Sequence, residues 1–482
     1  MNIGLCIRVV GLLLMLFSLG TLPSLFMGLS ANDGTAAVFG QAFLATAVSG
    51  VVLWLSTRQT NTELQIRDGF LITAAFWIVL GGYGALPFIF SDAISVSVTD
   101  AIFESVSGLT TTGATVLVGL DDLPQSLLLY RQLLQWLGGI GIIVLAVAVL
   151  PMLGIGGVQL YRAESTGPTK DSKLTPRITS TAKALFSIYL GLTAACAIAY
   201  KVAGMTTFDA ISHAFSTIAI GGFSTHDASM GYFNSDPILL IASVFMLISA
   251  INFGLHFIAL QKQDLTIYRQ DSETKFFAWV ITMAVLISCI TLGLSGQFST
   301  DYSMVHGVFQ TISIATTTGF TSKDFSLWPS FLPIFLLMLS VMGACVGSTG
   351  GGMKAMRILL IFRQGMRELR QLLHPNAVIP LKLDHRRVRP EVISAVWSFF
   401  AVYMFSFIVL VLAMLTTGLD FLSAVSAVMA SLNNLGPGLG EVASNYASVT
   451  DAGKLILCIA MLLGRLEIFT LLILFTATFW RP

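Results

Sequence analysis

The sequence predicts an all-α polytopic membrane protein. Two leading transmembrane helices precede four parallel repeats, each a spanning helix, a re-entrant loop and a second spanning helix. Three observations carry this. Of 482 residues, 55% are hydrophobic and only 11% charged, against roughly 25% charged in a soluble domain. Apolar runs that reach the length needed to span a bilayer, about 20 residues, recur along the whole chain. Four Gly-centred polar loops, "TTTGAT", "IGGFST", "TTTGFT" and "NNLGPG", each follow an apolar segment too short to span.

The first unit, 1–68, holds helices near 4–29 and 36–56. Its start, with Arg8 before an apolar run, imitates a signal peptide. The run exceeds the ~7–15 residues of a signal core and a second apolar helix follows at once, so it reads as a retained helix. The link "STRQTNTELQIRD" leads into repeat one, 69–165, with a helix near 69–91, a short segment 100–111, the first loop and a helix near 126–160. Repeat two, 166–265, has a helix near 181–202, the segment 207–219, its loop and a helix near 237–262. Repeat three, 266–389, has a helix near 273–295, the segment 303–315, its loop and a long helix from about 329. Repeat four, 390–482, has a helix near 390–416, the segment 420–432, its loop and a helix near 451–479.

The loop glycines are Gly113, Gly222, Gly319 and Gly436, spaced by 109, 97 and 117 residues. That spacing exceeds a solenoid repeat and suits a two-helix module with an element inserted between its helices. Asp100 and Asp209 each lie thirteen residues before their glycine. Of 26 Lys and Arg, all but Arg131, Lys201, Lys323, Lys454 and Arg465 fall at the termini or in the links between units. Those links are therefore cytoplasmic, the glycine loops approach from outside, and the repeats are parallel rather than inverted.

A segment of 10–14 apolar residues fits a short helix that dips into the membrane and returns as extended chain. Such backbone survives at membrane depth only if buried in protein or lining a water-filled cavity. Four of these around one axis make a pore; the plainer alternative is four turns between helices. A pore that passes a monovalent cation must replace its water with oxygen ligands, as rings of backbone carbonyls do. Glycine supplies the dihedrals that aim successive carbonyls one way, and threonine hydroxyls add ligands. The short helices would point their partially negative C-termini at the cavity, with Asp100 and Asp209 complementing the opposite ends.

Other chemistries find little support. The five cysteines form no C-x-x-C pair and the six histidines no metal-binding spacing, so neither a disulfide framework nor a zinc site is suggested. A membrane enzyme lacks a G-x-S-x-G elbow or an H-E-x-x-H pair. No nucleic-acid partner is expected, whereas membrane lipid is.

Two anomalies remain. The third inner helix runs into "GACVGSTGGGMKAMR", where Gly347, Gly350, Gly351 and Gly352 cluster. Each interior glycine costs a helix roughly 1 kcal/mol against alanine. A phosphate-binding loop would need G-K-[ST], but Met353 and Ala355 flank Lys354. A packing bend and a mobile obstructing loop are the other two readings. Arg465 lies eleven residues beyond Lys454, about 16 Å along a helix and near mid-membrane, where an arginine is costly. An ion pair with Glu467 is one explanation, although those two positions face different sides. The basic link 354–389 reads as positive-inside topology with anionic lipid contact, or as a docking surface.

Four helix–loop–helix units in one chain, each with one loop glycine, resemble the Trk/Ktr/HKT superfamily of potassium transport proteins. The likeness covers essentially the whole chain. It implies a pseudo-four-fold, potassium-channel-like pore, potassium uptake across the bacterial inner membrane, a homodimer, and a cytosolic nucleotide-binding regulator, TrkA, to which the docking-surface reading of the basic link would correspond. It implies potassium ions held by Thr111, Thr112, Gly113, Ile220, Gly221, Gly222, Thr317, Thr318, Gly319, Asn434, Leu435 and Gly436. Asn433, Asn434 and Leu435 replace the threonines of the fourth loop. Serine at the first glycine accompanies sodium transport in some relatives, so Gly113 favours potassium over a sodium-conducting or sodium-coupled alternative. The resemblance further implies a gate made of Gly347, Ser348, Thr349, Gly350, Gly351 and Gly352 with Lys354 and Arg465.

Overall fold

A computed structural model describes residues 2–58, 66–144, 178–329, 331–384 and 386–481. Among these, six helices are long and apolar enough to cross a membrane, and two bent helix pairs raise the number to eight if each is one span. The fold is all-α and polytopic apart from a two-residue-per-strand hairpin, Lys382–Leu383 with Arg386–Arg387.

Burial runs opposite to that of a water-soluble protein. Apolar side chains such as Leu44, Val52, Ile198, Ile290 and Leu412 are exposed, while Thr110, Thr112, Gln135 and Asn433 are buried. The outer helices thus offer an apolar face to lipid, and the polar groups lie where protein can satisfy them. The leading helices Ile3–Ser18 and Ala36–Ser56 cross at Gly11 and Gly50. A Cβ on Gly11 would meet the Gly50 carbonyl at 2.8 Å, so only glycine permits this approach.

Four short helices precede the glycine loops: Val98–Leu109, Thr207–Ala219, Thr300–Ala315 and Phe421–Leu432. Each starts on a side-chain cap, from Ser97, Thr206, Ser299 and Asp420 in turn, which satisfies amides that a helix start leaves open. Asp100 completes a reciprocal capping box with Ser97. The largest buried apolar cluster joins the first and last parts of the chain, with Leu80, Phe103 and Leu134 beside Val428, Leu457 and Leu463.

The inner helices differ from the expected continuous spans. The first is Gln125–Val144; its expected extension to 160 lies outside the described residues. The second, expected over 237–262, bends by 92° between Asp236–Ala250 and Phe253–Lys262. Ile251 is extended there, and Asn252 caps a new helix by accepting from the Gly254 amide at 2.7 Å. The third is only Leu332–Met342; it ends before the glycine cluster, at Gly343 with φ 63° and ψ −151°, a region that side chains exclude. The fourth, expected over 451–479, stops at Arg465 and turns by 109°. Glu467 and Ile468 both take positive φ, which no helix continues through. Apolar runs conceal such breaks because hydropathy carries no dihedral information.

Candidate functional site

The four loops repeat one backbone pattern. Thr111, Ile220, Thr317 and Asn434 have φ of 52°, 54°, 66° and 52°, and the glycine two residues on has 83°, 83°, 83° and 99°. Positive φ is unusual for any non-glycine residue and a genuine outlier for threonine or isoleucine. Strain recurring at one position of four loops marks a functional shape that the surroundings enforce. The residue between the two left-handed positions is not left-handed, and such alternation turns successive peptide planes to one side.

The loops also interlock. A Cβ on Gly113 would lie 2.1 Å from the Gly221 carbonyl oxygen, one on Gly222 2.1 Å from that of Thr318, and one on Gly319 2.0 Å from that of Leu435. One on Gly436 would lie 2.7 Å from the Thr112 oxygen, which closes the series. All four glycines line one outer cavity of about 580 Å³.

Most of the loop hydroxyls meet other protein groups. Thr110 pairs with Thr112 and Thr316 with Thr318, each at 2.8 Å. Thr317 Oγ1 accepts from the Gly351 amide at 2.7 Å. Thr111 Oγ1 is buried with no hydrogen-bond partner. In the fourth loop the amides replace the hydroxyls. Asn434 Nδ2 donates to Thr112 Oγ1 and the Met461 carbonyl, both at 3.0 Å. Asn433 accepts from Tyr403 at 2.6 Å and donates to Ser340 at 3.0 Å.

Sequence reasoning missed the side chains behind the loops. Gln135 donates to the Gly221 carbonyl at 2.6 Å and accepts from the Phe223 amide at 3.1 Å. Glu104 and Arg131 form a buried ion pair at 2.7 Å. Buried polar residues inside apolar helices were the available signal, and of these only Arg131 stood out, as an exception to the charge pattern.

Below the loops runs the glycine-rich stretch. Thr349 donates to the Ile218 carbonyl at 2.9 Å, and the Gly352 amide donates to the Asn433 carbonyl at 3.0 Å. With the bond from Gly351 to Thr317, one stretch of backbone meets the C-terminal ends of three short helices. Arg465 donates to the Thr349 carbonyl at 3.0 Å and to that of Gly138 at 3.4 Å. Gly138 packs directly on the Leu109 carbonyl at the end of the remaining short helix. Lys354 is buried and donates to the Gly350 carbonyl. The break in the second inner helix supplies partners too, as Cys345 N donates to Ala250 O and Phe253 N to Gly347 O. Glu273 Oε1 accepts from the Val346 and Met356 amides, one on each side of the stretch.

The Arg465–Glu467 ion pair is not formed. Glu467 pairs instead with Arg357 at 2.6 Å, and Arg357 lies 4.2 Å from the Phe399 ring centre. Lys354 and Arg357 are thus interior residues rather than part of an exposed basic link.

At the outer mouth His226 contacts Asp121 and lies 3.4 Å from Asp209, stacked on Tyr232 with His213 nearby. Burial would lower its pKa, but the Asp209 and Asp121 carboxylates outweigh this and raise it. The stabilisation is therefore full below the ordinary histidine pKa and is lost as pH rises through the raised value. The melting-temperature advantage of the wild type over His226→Asn should shrink as pH rises above the ordinary histidine value of about 6.5 and through the raised one. A pH-independent difference would remove the histidine charge from the account.

The sequence matches a family described as TrkH, cation transport protein, over residues 35–481. It is 55% identical over 478 residues to the Trk system potassium uptake protein TrkH of Vibrio parahaemolyticus, covering 98% of this chain and 99% of that one. It is 54% identical over 477 residues to the protein of the same name from Escherichia coli K12, covering 98% of each. The crystal structure of the potassium transporter TrkH from Vibrio parahaemolyticus matches with a TM-score of 0.93 at 52% identity, over 100% of both chains. The chain belongs to the TrkH family of cation transport proteins, as a multi-pass inner-membrane protein.

Proposed function

We propose that this chain takes up potassium through a single pore whose selectivity filter is made by the four glycine loops in pseudo-four-fold array. As a member of a transporter family it is not an enzyme. The observation that carries the proposal is that Gly113, Gly222, Gly319 and Gly436, each at positive φ, line one cavity. Potassium is the expected ion because the similar proteins are named for potassium uptake and because carbonyl rings replace its hydration shell. The ligands are the carbonyls around Thr111, Thr112 and Gly113, Ile220, Gly221 and Gly222, Thr317, Thr318 and Gly319, and Asn434, Leu435 and Gly436.

In this reading residues 347–352 are the gate, held by Lys354 and Arg465. A homodimer and a cytosolic nucleotide-binding regulator, TrkA, complete the system, with the exposed part of the 354–389 link as the docking surface. Flux into proteoliposomes holding this chain alone tests the reading: potassium should enter in preference to sodium. Equal flux of both ions favours the sodium-conducting alternative, and no flux of either removes the pore. Shortening the 347–352 stretch should raise potassium flux with little change in the potassium-to-sodium ratio, since the filter lies above it. Unchanged or reduced flux in a folded, shortened protein removes the gate.

A further inference from the structure

Arg131 lies outside the cytoplasmic charge pattern, and neither filter nor gate uses it. It is 1% exposed and Glu104 is fully buried. Taking two charges out of water costs more than a neutral pair would, so a fold needing only packing here has cheaper solutions. Other short helices show one. Gln310 Oε1 accepts from the Ser322 amide at 3.2 Å, and Ser426 Oγ from the Leu439 amide at 2.9 Å. Both amides lie three residues beyond their loop glycine, and Glu104 Oε2 does the same for Val116 at 3.0 Å. In the second repeat His213 meets Ser224 Oγ at 2.9 Å, and that oxygen accepts from the His226 amide. Every short helix therefore holds its own return segment, and the third and fourth do so without an ion pair.

The pair adds a link between repeats. Arg131 Nε holds Glu104 at 2.7 Å, Nη2 donates to Thr115 Oγ1 at 3.0 Å, and Nη1 donates to the Ser224 carbonyl at 2.9 Å. Its guanidinium lies 4.3 Å from the Phe223 ring centre. One planar fork thus ties the segment after Gly113 to the segment after Gly222, in a geometry that lysine cannot reproduce.

We propose that Glu104 and Arg131 are a positioning pair that sets the spacing of the first and second loops, and through it the discrimination between potassium and the smaller sodium ion. This rests on the filter reading. The test measures potassium and sodium flux of the full-length chain in proteoliposomes, beside the yield of folded protein, for Arg131→Met, Arg131→Lys, Glu104→Gln and the double variant Glu104→Gln/Arg131→Met. Arg131→Met should lower the potassium-to-sodium ratio at least about tenfold, and Arg131→Lys less. In the double variant the new side-chain amide can accept from the Val116 amide as Gln310 accepts from that of Ser322, so yield recovers while the ratio stays low. A merely structural pair predicts that the double variant regains both, and a wild-type ratio in that variant overturns the proposal. Gly113→Ser measured alongside separates the two levels. If it lowers the ratio and the pair variants do not, only this proposal fails; if it leaves the ratio unchanged, the filter reading fails and the proposal with it.

Discussion

Gly113→Ser is expected to lower the potassium-to-sodium flux ratio by about tenfold or more. Gly113 has φ 83°, and a Cβ there would lie 2.1 Å from the Gly221 carbonyl oxygen. A non-glycine residue held in a sparsely populated region costs of order 1–3 kcal/mol, and the clash with backbone adds to that. Either the first loop leaves its left-handed conformation or the second loop's carbonyl moves aside. Both alter the oxygen positions that, in the proposed filter, discriminate between ions. Gly222 and Gly319 face equally close carbonyls and should behave alike. Gly436 has 2.7 Å to the Thr112 oxygen, so the same change there should be milder. A wild-type ratio in folded Gly113→Ser protein would remove these loops as the filter.

Arg465→Ala should raise potassium flux, by about tenfold on the scale of hydrogen bonds to charged groups, ~1.5–3 kcal/mol. Arg465 is 4% exposed, and among the described residues it forms no ion pair. It holds the 347–352 stretch through the Thr349 carbonyl and bridges it to Gly138. A charge of this kind, weakly screened in a low-dielectric setting, repels an approaching cation. Alanine removes both the tether and the charge. Arg465→Lys keeps the charge and loses the fork, so its flux should fall between alanine and wild type. Flux below wild type in folded Arg465→Ala protein would make the arginine a structural support of the 347–352 stretch.

The repeating scheme is legible because burying four short helices in a membrane protein demands capped starts, apolar bodies and glycine exits, all of which leave marks in sequence. The short helices begin within about three residues of their expected starts. The breaks after Ala250 and Arg465 are fainter: Asn252 caps the helix that restarts after the first, and no side-chain cap follows the second. Neither contains glycine or proline, and both depend on partners far along the chain, such as the Cys345 amide at Ala250. The fourth loop is opaque for a related reason. Asn434 suits the left-handed position, but its role is fixed by Thr112 and Met461, which are remote in sequence. Sequence proximity pairs Glu467 with the wrong arginine because Arg357, its partner at 2.6 Å, is 110 residues away.

The closure of the fourth loop onto the first has a consequence for biosynthesis. Gly436 abuts Thr112, Asn434 donates to it, the Tyr446 amide donates to the Thr115 carbonyl at 2.8 Å, and Lys454 pairs with Asp100 at 2.6 Å. Every one of these contacts needs residues from Asn434 onward, near the end of the chain. A chain that stops before them lacks all of these contacts, and the series of loop contacts is left open between the third loop and the first. In the proposed filter, a chain truncated before Asn434 therefore lacks the quarter that closes the fourth loop onto the first.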